Sequence, residues 1–184
     1  MSELLPPTPG QTIGPFFHPG MLYDGDRDLV PAGSVGSILF HGVVYDGDGV
    51  PVPDAMIEIW QADAAGTVSQ STGSLRRDGW TFSGFGRAST GRDGRYTFST
   101  VTPGVTEEGR PPFFAVTVFA RGLLDRLFTR AYLPGNDMTG DALWNSVPAD
   151  RRPTLLAEAD GQGFRFDVHL QGDDETVFLR YPGM

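Results

Sequence analysis

SILFHGVVYDGDGVPVPDAMIEIW, residues 37–60, decides the fold. Ser37 to Tyr45 is rich in residues that suit pleated backbone. Asp46-Gly47-Asp48-Gly49 follows, and Asp-Gly pairs supply the positive φ that a tight reversal needs. Beyond Pro51 and Pro53, Ala55 to Trp60 alternates. Met56, Glu58 and Trp60 share one face, Ile57 and Ile59 the other.

The same pattern recurs outward from this stretch. Asp93-Gly94 is another turn, and Arg95 to Ser99 alternates before Val101-Thr102-Pro103-Gly104 ends the run. Further strands are expected at Phe113–Ala120, Leu127–Leu133, Gly163–Gln171 and Thr176–Tyr181; Phe164, Phe166, Val168 and Leu170 fall on one face. Residues 63–79 are polar and glycine-rich, a long loop. Residues 134–160 are irregular, with one helical turn near Ala142-Leu143-Trp144. About seven to eight short strands without a long helical period predict an all-β fold, a two-sheet β-sandwich with long loops, over residues 36–184. The 25 glycines and 15 prolines agree with many turns.

Residues 1–35 lack a period and are punctuated by proline and glycine. Phe16, Phe17, Met21, Leu22 and Tyr23 are nevertheless too apolar for a free tail. This reads as an extended N-terminal arm that docks on its own domain or on a neighbour; a plain linker is the alternative. The chain carries a net charge of −9, and its 14 basic residues are all arginine. Such a chain is a poor partner for nucleic acid or an anionic membrane. With no cysteine, disulfides and thiolate metal sites are excluded. The N-terminus lacks the basic and apolar segments of a signal peptide, and the expected location is cytoplasmic.

Few residues advertise chemistry. The three histidines, His18, His41 and His169, are far apart, and no His-x-His exists. A metal site needs clustered ligands, so they read as structural or surface residues. Asp46, Asp48, Asp93, Asp173 and Asp174 sit beside glycines, where turn chemistry explains them. Arg130 stands out, because alternation places it on the face of Phe128 and Tyr132. A guanidinium among aromatic rings suits an aromatic carboxylate; a surface arginine on an edge strand is the competing reading.

Thr8 to Phe17 (TPGQTIGPFF) resembles the N-terminal signature of the intradiol ring-cleavage dioxygenases. Gly42 to Pro53 and then Ile57 to Gly66 are similar to that family's central motif. Phe85-Gly86-Arg87, Asp93 to Phe98 and Val101 to Gly104 follow in family order. Phe119 to Gly122, Thr129 to Tyr132 and Phe164 to Gly172 look like its alpha-type chains in particular. The resemblance spans nearly the whole chain. It implies a reaction in which both atoms of O₂ add to an aromatic ortho-diphenol, at Fe(III) held by two tyrosines and two histidines.

Those ligands are missing from this sequence. The resemblance puts Ala115 and Thr117 where the histidines would stand. It puts Val105-Thr106 where one tyrosine would be, and the other would fall in Val68–Phe82, which has no tyrosine. A methyl group and neutral hydroxyls cannot replace imidazole and tyrosinate at Fe(III). The implied role is a subunit without catalytic residues or metal of its own. The iron would be bound by a partner beta-type subunit in a hetero-oligomer of αβ units, and the arm would dock on that partner. Thr12, Gly14, Pro15 and Arg130 would then line the pocket for a small aromatic substrate. Glycine permits close backbone approach and proline stiffens the arm. A free-standing sandwich module that binds a ligand remains the alternative.

Overall fold

The computed structural model describes residues 20–71 and 77–181. Among the described residues the strands are β1 (Ser37–Tyr45), β2 (Met56–Trp60), β3 (Phe85–Ser89), β4 (Arg95–Val101), β5 (Phe113–Phe119), β6 (Leu127–Tyr132), β7 (Glu158–Ala159), β8 (Gly163–Arg165) and β9 (Val168–His169). A short helix, α1 (Ala142–Ser146), and a 3₁₀ turn at Arg152–Leu155 lie between β6 and β7. One sheet is ordered β4-β1-β8-β7, with β9 also on β1; the other is ordered β3-β2-β5-β6. Two sheets with so little helix are the expected sandwich.

The alternating strands close the core. Phe40 of β1 and Phe114 of β5 stack between the sheets, ring centroids 4.1 Å apart. Ile57, Ile59, Val116, Val118, Ala88 and Ala131 join them from the four-stranded sheet. That sheet therefore turns its other residues outward: Glu58 and Trp60 on β2, Phe85 and Arg87 on β3, Ala115 and Thr117 on β5, Phe128 and Arg130 on β6.

Several expectations need correction. Strand β3 was not anticipated, because Gly86 and Arg87 interrupt any apolar alternation. Gly86 faces the core where Leu29 Cδ1 would lie 2.4 Å from an added Cβ. The expected strand Gly163–Gln171 is divided into β8 and β9. Between them the Asp167 carboxylate accepts from the Val43 backbone N–H at 2.9 Å, so a side chain takes over from the ladder. Thr176–Tyr181 is not a strand; it meets β6 at one isolated bridge, with Leu179 N–H donating to Phe128 O at 2.7 Å, and side-chain bonds such as Thr129 Oγ1 to Val177 O at 2.8 Å add to it. The helical turn near residue 142 is present as α1.

Residues 1–19 of the N-terminal arm lie outside the described residues. The described remainder of residues 1–35 pairs with its own sandwich at several points; Arg87 N–H, for one, donates to Asp26 O at 2.9 Å. Leu29 N–H donates to Ser99 O at 2.8 Å, Ser99 N–H donates to Arg27 O at 3.0 Å, and Leu29 joins the core.

Candidate functional site on the outer face of the four-stranded sheet

Strand register arranges the outward residues in rows. Phe85, Trp60, Ala115 and Arg130 are cross-strand neighbours in one row. Arg87, Glu58, Thr117 and Phe128 form the next. The face thus brings Arg130 beside Ala115 and Thr117, which the sequence places 13 or more positions away. Thr106 is on a different structure, the exposed loop after β4, where Gly104 N–H donates to Asp63 O at 2.8 Å. Thr12, Gly14 and Pro15 lie outside the described residues.

Arg130 is not a loose surface cation. Its guanidinium lies over the Phe113 ring, Cζ 4.0 Å from the centroid. Nη1 donates to Asp141 Oδ2 and to the Tyr132 hydroxyl oxygen, each at 3.2 Å. The side chain is 28% exposed and that of Asp141 only 5%. Asp141 has three donors to satisfy it. It caps α1 by accepting from Trp144 N–H at 2.8 Å, and it accepts from the Tyr132 hydroxyl at 2.9 Å. Burial pushes the Tyr132 phenol up to about 12; Asp141 raises it and Arg130 lowers it. The phenol therefore stays protonated at neutral pH and donates to the carboxylate.

At the opposite end of the rows, Trp60 is 51% exposed and packs against Phe85 with ring centroids 4.8 Å apart. In the next row of the same two strands Glu58 and Arg87 are paired, through Nε at 2.9 Å and Nη2 at 2.5 Å to a single oxygen, Oε1. Arg87 Nη1 also donates to Met21 O at 2.6 Å. Arg77 donates to Gly25 O, Asp26 O and Phe85 O. Two arginines thus clasp the backbone at the root of the N-terminal arm onto this sheet.

Alternation alone put Arg130 on the face of Tyr132, as the hydrogen bond between them bears out, but Phe113 was visible only as a strand residue. Asp141 carried a signal, since an aspartate directly before a helical turn is a common N-cap. Its contact with Arg130 had none. The Glu58–Arg87 pair joins residues 29 positions apart and needed the β2–β3 register.

The side chains at the positions that the resemblance gives to the two histidines do not fit iron. Ala115 offers no donor atom, and Thr117 is a neutral hydroxyl 8% exposed. Among the described residues no group of three or more His, Cys, Asp or Glu could hold a metal ion. Nor is any helix among them long and apolar enough to cross a membrane.

The fold is a two-sheet β-sandwich, and a family model described as "Dioxygenase" matches residues 14–172. The chain belongs to the intradiol ring-cleavage dioxygenase family, whose members are in general iron-dependent. It is 39% identical to the protocatechuate 3,4-dioxygenase alpha chain of Burkholderia cepacia, over 94% of this chain and 96% of that one. It is 32% identical to the beta chain from the same organism, over 72% of this chain and 63% of that one. Its fold matches the dioxygenase domain of a dioxygenase–carbohydrate-binding protein fusion from Streptomyces sp. SirexAA-E, with a TM-score of 0.56 and 27% identity over 79% of this chain and 87% of that one. The near full-length match to an alpha chain supports the subunit reading and not the free-standing module.

Proposed function

We propose that this chain is the alpha subunit of a protocatechuate 3,4-dioxygenase and completes, without iron of its own, an active site on a beta subunit. The observation that carries this is the outer sheet face. Ala115 and Thr117 supply no ligand there, yet the neighbouring strand keeps a cation, Arg130, seated on an aromatic ring. A face that has lost metal donors but retains a held guanidinium suits binding and orientation of an aromatic carboxylate.

The reaction adds both atoms of O₂ to 3,4-dihydroxybenzoate and breaks the bond between the two hydroxylated carbons, giving 3-carboxy-cis,cis-muconate. Iron on the beta subunit supplies the activation of the bound diphenol. The part of this chain is positional. Arg130 neutralises the ring carboxylate, while Thr12, Gly14 and Pro15 of the arm wall the pocket. The reading also implies a hetero-oligomer of αβ units, in the cytoplasm, serving aromatic-compound catabolism.

Co-expression with a beta chain tests this directly. The expected result is a stoichiometric complex that contains iron and cleaves protocatechuate, while this chain purified alone is colourless and inactive. A visible tyrosinate-to-iron band from this chain by itself would overturn the reading.

A further inference from the structure

The Arg130 guanidinium has two unequal edges. Nη1 is committed to Asp141 and Tyr132, and the flat face is committed to Phe113. Nε and Nη2 have no hydrogen-bond partner among the described residues. Asp141 is committed too: Oδ1 accepts from both Trp144 N–H and the Tyr132 hydroxyl, which leaves Oδ2 aimed at Nη1. The helix cap and the phenol therefore fix the carboxylate, and the carboxylate fixes the arginine.

We infer that Asp141 is a positioning residue for the aromatic carboxylate: it pins one edge of Arg130 against the sheet and thereby presents the other edge to the ligand. The inference rests on the role given to Arg130 above. An arginine side chain has large rotamer freedom, and a guanidinium held in one orientation loses less of it on binding. Asp141 also offsets part of the charge on Arg130, which by itself would weaken the attraction for a carboxylate. At a partly exposed face that opposing effect is screened, so orientation dominates.

Asparagine at this position separates the two. Its Oδ1 keeps the Trp144 and Tyr132 donors, but Nδ2 takes the place of Oδ2 and sets N–H against N–H at Arg130. Serine still caps α1 but is too short to reach the guanidinium.

The experiment uses the complex of this chain with its beta partner, and calorimetric titration with 4-hydroxybenzoate and with phenol. Each ligand has a single hydroxyl, so neither ring can be cleaved. Asp141→Asn and Asp141→Ser should each weaken 4-hydroxybenzoate about three- to tenfold and leave phenol unchanged. In the Arg130→Ala background Asp141→Asn should add nothing, and with protocatechuate the Asp141 variants should raise KM with kcat held. Unchanged or tighter 4-hydroxybenzoate binding, equal loss for phenol, or a loss that persists without Arg130 overturns the inference. If only one Asp141 variant assembles with the partner, that variant decides. If Arg130→Ala itself leaves 4-hydroxybenzoate affinity unchanged, the Arg130 reading falls and the inference with it. If Arg130→Ala weakens binding while the Asp141 variants bind normally, only the positioning role falls.

Discussion

Arg130 shows how much one side chain takes from its surroundings. On β6 it is one alternate residue among several. Phe113 beneath it and Asp141 beside it turn it into an oriented donor. In the assembled enzyme, Arg130→Ala should weaken protocatechuate by about 1.5–3 kcal/mol, roughly ten- to a hundredfold, because a charge-assisted hydrogen bond is lost. Catechol has no carboxylate and should be little affected; the ratio of KM values for the two substrates is the measurement. Gly42 is a second residue with a specific duty. A Cβ there would lie 1.9 Å from Phe166 O, the same oxygen that accepts from the buried Tyr96 hydroxyl. Gly42→Ala must push β1 from that segment and should cost about 1–3 kcal/mol, read as a lower midpoint in urea.

Among the elements, the segment from Met21 to Val30 connects the arm to the sandwich. Its backbone carbonyls are held by Arg77 and Arg87, and Leu29 anchors it in the core. Arg87→Ala would leave Glu58 a half-buried carboxylate without its cation, and breaking such a pair costs about 3–5 kcal/mol. Arg87→Met combined with Glu58→Gln should recover most of that loss, which equilibrium unfolding of the three proteins will show. Asp26 in the same segment responds to pH. Burial pushes its carboxyl above the usual range, against the pull of the Tyr23 and Arg27 backbone and of nearby arginines. The folded pKa being the higher, ionised Asp26 opposes folding at neutral pH, and the penalty is relieved as pH falls through that raised value. Asp26→Asn should therefore melt above the wild type at neutral pH, with the gap closing by about pH 4, near the unfolded carboxylate pKa.

At the scale of the whole molecule, the four-stranded sheet has one face in the core and one face that carries Trp60, Phe85 and Arg130 outward. Trp60 is 51% and Trp80 93% exposed in the single chain. Large exposed aromatics mark contact surfaces. Together with the apolar arm residues Phe16, Phe17, Met21 and Leu22, they lead to an expected outcome for the isolated chain. Purified without a partner it should aggregate, and light scattering should show a single defined species only after co-expression with the beta chain. A stable, monodisperse monomer would count against an obligate subunit.

Alternation and turn chemistry act over neighbouring residues, which is why strands β1, β2, β4, β5 and β6 and the sandwich class were legible in the chain. The family was legible from ordered blocks. Strand β3 was hidden because its glycine and arginine break the pattern, and its pairing with β2 supplies what its own composition lacks. The split between β8 and β9 depends on Asp167 reaching Val43 across 124 positions. Asp141, Tyr132, Phe113 and Arg130 meet only because β5 and β6 pair in register and α1 folds back against them. Local sequence determines which residues can be strand, turn or ligand; only tertiary packing decides which side chains lie within hydrogen-bond reach, because such bonds act over about 3 Å irrespective of distance along the chain.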